Sequence, residues 1–405
     1  MKVLLFTNLF PSESEPTRGL FNLRRFQALA KHCSVRVVAP FPAWRRVPEP
    51  SKLFHIPYEV HEGLDVTYPT YWAVPRLKRD WHAALMYRSV RSHIRSIRKY
   101  FDFDVVLGAF AYPDVVAADR LAEDTGCPFV AVVMGSDMNV LATRPPLRRL
   151  IRSSLMRAAK VIALSTALKE RLTELDVPSS RIIVQQNGVD GQRFFVRDKG
   201  EARHVLGLPQ GHPIACFIGH MVEEKGADVL IDAMDDHSGA LRELNVIFIG
   251  DGELTHHLKQ RVAQLGLSAK VRFMGRQTPD TIPLWISAAD MLCLPSRREG
   301  CPNVVLEALA AGRPVIASRV GGVPELLNNQ NGIMVPAGDP SALAFGLAEA
   351  LQRPWNPAEL RASVPSLSWD ASGKTFYDSL MSAIRPGVEA RLPSSNFDIH
   401  TGSCA

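Results

Sequence analysis

Two hydrophobic rhythms alternate along the chain. Short runs rich in β-branched residues are separated by longer segments in which apolar residues return every three or four positions. In the first half, such runs predict strands at Val3–Thr7, Val35–Ala39, Val105–Gly108, Phe129–Val133, Val161–Leu164 and Ile182–Gln185. Helical periodicity begins near Phe21, Trp81, Asp114, Leu147 and Thr166. Asn187-Gly188-Val189-Asp190 is a turn signal, and after it the rhythm restarts. Strands are predicted again at Ile214–Ile218, Val246–Ile249, Val271–Met274, Met291–Leu294, Val315–Ala317 and Ile333–Val335. Almost continuous apolar strands between helices imply parallel sheets covered on both faces, an α/β class. Two such sheets, divided near residue 190, are the simplest arrangement. Ligands bind beyond the carboxyl ends of strands in open sheets, so the cleft between the two is the expected site. Phe41–Pro75, rich in Pro and aromatics, reads as a loop excursion, and residues 386–405 lose periodicity and read as a flexible tail.

Composition narrows this picture without redirecting it. With 405 residues, 46% apolar and 22% charged, the chain has the content of a globular protein of two domains. No apolar run approaches the roughly 18 to 20 residues that span a bilayer. Met1-Lys-Val-Leu-Leu-Phe-Thr reads as a first strand, without the h-region of a signal peptide. The 6 cysteines show no C-x-x-C spacing, which suggests reduced cytosolic thiols, with neither a disulfide framework nor a zinc site. Charge is uneven. Residues 1–190 carry 27 Lys and Arg against 18 Asp and Glu, a net +9; residues 191–405 carry 20 against 23, a net −3. A basic first half is suited to an anionic partner.

The most informative stretch is Ser296-Arg-Arg-Glu299-Gly300-Cys-Pro302-Asn303-Val304-Val305-Leu-Glu307-Ala-Leu-Ala-Ala-Gly312. Pro302 suits the first turn of a helix and Gly312 a left-handed stop. The N–H groups of Asn303, Val304 and Val305 then lack intrahelical partners and face outward with the positive end of the dipole, an anion site. Glu299 precedes that helix start and Glu307 follows it by about a turn. A phosphate cradle flanked by two hydroxyl-accepting carboxylates suits a nucleotide-sugar. Gly250-Asp-Gly-Glu lacks the third glycine of a dinucleotide fingerprint, because Thr255 holds that place, which counts against a nicotinamide cofactor.

Several motifs in order then carry a family resemblance. The Glu, seven residues, Glu pattern of Glu299 and Glu307 is similar to that of the retaining family 4 glycosyltransferases. So are Gly321-Gly322-Val323-Pro324-Glu325, Phe217-Ile-Gly219-His220-Met-Val-Glu-Glu-Lys225-Gly226, Gly250-Asp251-Gly252, Asn187-Gly-Val-Asp190 and the first loop Phe10-Pro-Ser-Glu-Ser-Glu-Pro-Thr-Arg18-Gly19. The likeness covers roughly residues 1–385 and implies the GT-B architecture of two facing Rossmann-like domains. It implies an acceptor-binding domain over 1–190, a donor domain over 191–368, and a helix over 369–385 that returns to the first domain.

For the site, the resemblance implies that Glu299 binds donor-sugar hydroxyls and Glu307 the ribose, and that Lys225 holds the diphosphate. Gly300 and the amides of Asn303, Val304 and Val305 would line the cradle, with Gly219 at the strand end and Gly19 in the first loop. His220 stands where relatives usually carry arginine, and a histidine has no assured charge at neutral pH. Arg297, Arg298 or Arg18 could supply the missing cation. Asp137, in Met134-Gly-Ser-Asp137, reads equally as a cleft residue and as a turn cap. Many relatives carry a histidine about two residues after the Phe129–Val133 strand, near the transferred sugar, and here Met134 holds the nearest slot. Glu325 reads as a dipole partner at a helix start. No acidic metal cluster is seen, so lysine and helix dipole would stabilise the leaving group without metal or other cofactor.

The implied activity is transfer, with retention, of a sugar from a UDP- or GDP-sugar to a glycan or polyprenyl-diphosphate-linked acceptor in envelope or exopolysaccharide synthesis. A nucleotide-sugar epimerase of the same fold and a non-catalytic nucleotide-sugar-binding subunit are the rival readings. Arg76, Lys78, Arg79, Arg88, Arg91, Arg95, Arg98 and Lys99 crowd one helical segment interleaved with apolar residues. It reads either as a peripheral contact with the cytoplasmic face of a membrane or as an ordinary helix with a solvated cationic face. A cytoplasmic location is expected, with no nucleic-acid partner, since no recognised module for one is present.

Overall fold

In the computed structural model, residues 1–46, 53, 55–73, 79–235, 239, 241–364 and 368–384 are described. The expected tail 386–405 and the basic residues Arg76 and Lys78 lie outside the described residues.

Two sheets carry the fold. The first comprises β1 (Lys2–Phe6), β2 (Ser34–Val38), β3 (Tyr58–His61), β4 (Leu64–Thr67), β5 (Val105–Ala109), β6 (Phe129–Val133), β7 (Lys160–Ala163) and β8 (Ile182–Val184). Its spatial order is β8-β7-β6-β5-β1-β2-β4-β3. The second comprises β9 (Ile214–Ile218), β10 (Asn245–Ile249), β11 (Val271–Phe273), β12 (Met291–Leu294), β13 (Val315–Ser318) and β14 (Gly332–Val335), in the order β11-β10-β9-β12-β13-β14. Each predicted strand is present within a residue or so. The central strands are sealed on both faces: Val3, Leu4, Leu5 and Phe6 are all inaccessible to solvent. Each such side chain contributes about 1.5–3 kcal/mol by leaving water, which is what holds a parallel sheet between helical layers.

The excursion after Phe41 differs from expectation. It contributes β4, parallel to β2, and β3, which returns antiparallel to β4 and closes the sheet edge. Phe41–Pro42 and Thr70–Tyr71 form a further short parallel ladder. The alternation in Leu64-Asp-Val-Thr is too brief to separate from loop sequence, and only pairing with β2 selects it.

The last described helix, Trp369–Ile384, packs on Leu20–Ala30 of the first domain. Phe376 meets Phe26 edge to face at 5.8 Å. Gly373 permits this crossing, since a Cβ there would stand 2.6 Å from the Ala28 carbonyl.

Candidate active site

Both sheets reverse their winding at their centres, between β1 and β5 in the first and between β9 and β12 in the second. Loops leaving such neighbours splay apart and leave a crevice. The loops after β1, β5, β9 and β12 carry Gly19, Asp114, Gly219 to Lys225, and Ser296 to Pro302 respectively. The two crevices face one another across the interdomain cleft.

Glu299 is the hub. Its Oε1 accepts from Lys225 Nζ at 2.7 Å and from Ser296 Oγ at 2.7 Å. Its backbone carbonyl accepts from Asn139 Nδ2 of the first domain at 3.0 Å. The carboxylate is only 6% exposed while the ammonium is 30% exposed, so the pair sits at the rim of the cleft with the lysine on the wet side. Local geometry aims Lys225: Glu223–Lys225 form one 3-10 turn, ended by Gly226 at φ 65. A Cβ on Gly226 would stand 2.0 Å from the Pro295 carbonyl oxygen, so the two loops can touch only through glycine.

The substitutes considered for a missing arginine separate clearly. Arg297 forms a bidentate pair with Asp228, 2.8 and 2.6 Å, and is committed to that structural role. Burial works against ionisation of Asp228, yet the bond to Arg297 prevails and holds its carboxyl below the ordinary range. Arg18 donates to the backbone carbonyl and Oδ1 of Asn8 and pairs with Glu15. Arg298 is exposed and makes no ion pair among the described residues. His220 is exposed beside the β9 loop and makes no side-chain hydrogen bond to a described residue, so it does not join the Glu299–Lys225 cluster. Gly219 is locked by its N–H to Ile249, 3.0 Å, and by close contact with Gly250.

The phosphate-cradle helix is Asn303–Ala310, with Pro302 as its N-cap, one residue earlier than expected, and Gly312 at φ 71 past its end. Val305 N–H is not free, because it donates to the Pro302 carbonyl at 3.2 Å. Only Asn303 and Val304 retain open amides there, a smaller cradle than the three-amide reading. The Asn303 side chain accepts from Asn187 Nδ2 at 2.5 Å, and Asn187 in turn accepts from Arg25. Arg25 is 2% exposed, burial pulls its guanidinium down to about 10, and it also bonds Asn22 at 3.2 Å. This chain of Arg25, Asn187 and Asn303 ties the first helix of one domain to the cradle of the other. Sequence reading missed it, since Arg25 looks like any cation on a basic helix. Its place three residues after Asn22 on a buried face is the one signal available.

Glu307 points from the second turn of the same helix. Half-buried, it takes no hydrogen bond from a described residue. Loss of water pushes its carboxyl up to about 7, opposed by Arg193. An unpaired carboxylate in such a place invites a hydroxyl donor.

The domains meet at glycines. A Cβ on Gly300 would stand 2.0 Å from the Met134 carbonyl oxygen and 2.8 Å from Gly135 Cα. Gly321 and Gly322 approach the carbonyls of Glu299 and Gly300, at 2.0 and 2.4 Å from their would-be Cβ atoms. Glu325 differs from expectation. It caps a helix of the opposite domain, accepting from Thr166 N–H at 2.7 Å and Ala167 N–H at 3.4 Å. A cavity of about 600 Å³ remains between the domains beside Glu299, Gly321, Arg298 and Asn139. Lys225, Glu307, His220 and Gly19 do not line it.

In the first domain, Gly19 caps Leu20–Ala30 at φ 65, and a Cβ there would stand 2.3 Å from the Leu9 carbonyl oxygen. Its glycine is demanded by the loop itself, whatever binds. Asp137 is fully buried and accepts from the amides of Ala111, Met134, Gly135 and Met138. Burial raises its pKa against those bonds. Its carboxylate is spent on the turn, so the cap reading holds and direct ligand contact does not. Asp114, seen in sequence only as a helix start, is fully buried at the β1/β5 switch. It accepts from Asn8 N–H through Oδ1, while Oδ2 has no partner among the described residues. Burial pushes it up to about 8, against that bond and Arg18.

The basic helix is His82–Arg98, and its apolar face of Ala83, Met86, Val90, Ile94 and Ile97 lies in the first domain's core. It cannot also enter a membrane. Arg88, Arg91, Arg95 and Lys99 remain exposed. No helix of the described residues is long and apolar enough to cross a bilayer.

Known proteins match this architecture. The family described as Glycosyl transferases group 1 matches residues 198–364, and that described as Glycosyltransferase Family 4 matches residues 19–193. TuaC of Bacillus subtilis, a glycosyltransferase provisionally assigned by its name to teichuronic acid biosynthesis, is 30% identical over 371 residues, 88% of this chain and 91% of its own. A D-inositol 3-phosphate glycosyltransferase of Salinispora arenicola is 32% identical over 263 residues, 59% of this chain and 57% of its own. Among solved structures, Anabaena Alr3699/HepE in complex with UDP superposes with a TM-score of 0.73 at 20% identity, covering 94% of this chain and 100% of that one. Sucrose-phosphate synthase from Thermosynechococcus elongatus gives 0.76 at 18% identity, covering 94% and 99%. At such identities the two structures establish a shared fold of two facing Rossmann-like domains.

Proposed function

The chain belongs to the family 4 glycosyltransferases, of GT-B fold, and from that premise we propose that it transfers a sugar from a UDP- or GDP-sugar, with retention, to a glycan or lipid-linked acceptor in envelope or exopolysaccharide synthesis. The observation that carries this reading is the Glu299–Lys225 pair at the cleft rim, 2.7 Å apart, in the loops that flank the helix at Asn303. Lys225 would leave Glu299 for the donor diphosphate, and Glu299 would then accept sugar hydroxyls. Exchange of one charged partner for others avoids stranding a buried carboxylate. The ammonium, the amides of Asn303 and Val304 and the helix dipole would stabilise negative charge on the departing diphosphate without a metal. Glu307, unpaired and half-buried, is the ribose acceptor in this reading. Arg298, exposed and without an ion pair, is a better substitute cation than His220 or Arg297.

The relatives' names support a sugar transfer: teichuronic acid biosynthesis for the Bacillus subtilis protein and D-inositol 3-phosphate glycosylation for that of Salinispora. Peripheral contact with the cytoplasmic membrane face, if lipid carries the acceptor, would be electrostatic, through Arg88, Arg91 and Arg95.

The test is nucleotide release from a panel of UDP- and GDP-sugars, with and without lipid-linked acceptor, followed by analysis of the anomeric configuration of the product. Acceptor-dependent release with retained configuration is expected. Acceptor-independent conversion to a free epimer would identify an epimerase, and tight nucleotide binding with no turnover of any donor would identify a binding subunit. Glu299→Ala is expected to abolish turnover, and full activity in that variant would sink the site assignment.

A further inference from the structure

A second cavity, of about 270 Å³, opens at the carboxyl edge of the first sheet, beside the loop that follows β1. Glu13 and Ser12 of that loop form one wall, and Tyr58, Glu59 and Tyr68 the other. The pairing of β3 with β4 brings the second wall there, with Tyr58 opposite Thr67 and Glu59 opposite Val66.

The walls are held by bonds of their own. Glu59 Oε2 accepts from His61 Nε2 at 2.7 Å and from Glu13 N–H at 3.2 Å. The Tyr68 hydroxyl donates to the Pro11 carbonyl and lies 2.9 Å from His61 Nε2. The Tyr58 hydroxyl donates to Asp65, which fixes the ring while leaving the residue 55% exposed. In contrast, the Glu13 carboxylate takes no hydrogen bond from any described residue.

Charge narrows the ligand. Arg45 lines the cavity, but its Nη1 is paired with both oxygens of Glu15, at 2.7 and 2.9 Å. Glu13 is unpaired among the described residues and Glu59 adds a second carboxylate, so despite the domain's net charge of +9 the cavity presents carboxylate oxygens alongside an arginine that is already paired. Phosphate, diphosphate and uronate are therefore disfavoured there. A fixed aromatic ring beside hydroxyl-accepting carboxylates is matched by a neutral sugar, whose C–H face lies on the ring while vicinal hydroxyls donate to the acids. The volume, near the lower end of the roughly 300–1,000 Å³ range of ligand pockets, suits one sugar unit and excludes a nucleotide.

We propose that this cavity is a subsite for one neutral sugar of the acceptor glycan, set back from the reacting end. The proposal rests on the transferase reading above. The loop from Thr7 to Gly19 reaches from this cavity to the interdomain cleft, so an acceptor with its reacting hydroxyl in the cleft extends across the loop and seats an inner sugar against Tyr58 and Glu13.

The experiment is saturation-transfer NMR on the full chain with glucose, N-acetylglucosamine, glucuronate and inorganic phosphate. It is run with and without whichever of UDP or GDP the protein binds. Glucose or N-acetylglucosamine should bind equally with nucleotide present, and Glu13→Ala and Tyr58→Ala should each weaken that binding by about tenfold, the worth of one lost charge-assisted bond or ring contact. Nucleotide affinity and donor turnover in both exposed-residue variants should stay within about twofold, since neither touches the donor cleft. Absence of neutral-sugar binding, binding that nucleotide competes away, tighter binding of glucuronate or phosphate, or indifference to both substitutions would each overturn the proposal. Because nucleotide binding is read on the same samples, failure of the subsite is distinguishable from failure of the donor assignment.

Discussion

Glu307 offers a direct test of the nucleotide assignment through pH. Its carboxyl lies at about 7 because burial removes water without supplying a hydrogen-bond donor. At pH 6 about one-tenth of the molecules carry the charge, and at pH 8 about nine-tenths. A ribose hydroxyl donated to the ionised form gains about 1.5–3 kcal/mol, against about 0.5–1.5 kcal/mol for the neutral form. The difference, about 1–1.5 kcal/mol, corresponds to a five- to tenfold tightening of nucleoside binding as pH rises through 7. Titration calorimetry with uridine and guanosine between about pH 5.5 and 8.5 avoids the ionisation of phosphate, which falls near 6. The wild type should tighten with a midpoint near 7, and Glu307→Gln should remain at the weak, low-pH level throughout. Binding that is independent of pH in the wild type, or an unchanged profile in Glu307→Gln, would refute the assignment.

Stability must move in the opposite sense in the absence of ligand. The folded carboxyl at about 7 lies above its ordinary 4.5, so the folded state binds the extra proton between those values. Stability from this group is therefore greatest below about pH 4.5, falls as pH rises toward 7, and is level above about 8. The displacement corresponds to at most about 3 kcal/mol. Glu307→Gln should raise the thermal midpoint at pH 8 and leave it nearly unchanged at pH 5, as differential scanning fluorimetry would show.

Three further predictions concern the domain junction. Gly300→Ala places a Cβ 2.0 Å from the Met134 carbonyl oxygen; turnover should fall by about a hundredfold, the scale of a misplaced site, with circular dichroism unchanged, and activity within twofold of wild type would contradict the closed geometry. Asn187→Ala strips partners from buried Arg25 and from Asn303, at a cost of about 2–5 kcal/mol visible as a lower denaturant midpoint. Glu325→Ala removes the cap from Thr166 and Ala167, and their amides should exchange about fivefold faster with deuterium, for a loss of about 1 kcal/mol.

Sequence by itself determined the two-sheet α/β architecture, the restart after Asp190 and the importance of the Glu299 to Glu307 stretch. These are local properties: an apolar strand period, a proline at a helix start and a glycine at its end are written in neighbouring residues. It could not show that β3 and β4 exist, because their weak alternation gains meaning only against β2. Nor could it show what partners each charge meets. Arg297 and Arg298 are adjacent in the chain and both border the interdomain cavity, yet one is locked to Asp228 and the other makes no ion pair among the described residues. Gly19, Gly321 and Gly322 were legible as positions requiring glycine, but only the tertiary structure decided that protein backbone, and not ligand, fills the space beside them. Asp137 and Glu307 make the same point for carboxylates. Four amides occupy the first and none the second, since hydrogen-bond satisfaction depends on groups that folding brings from distant segments.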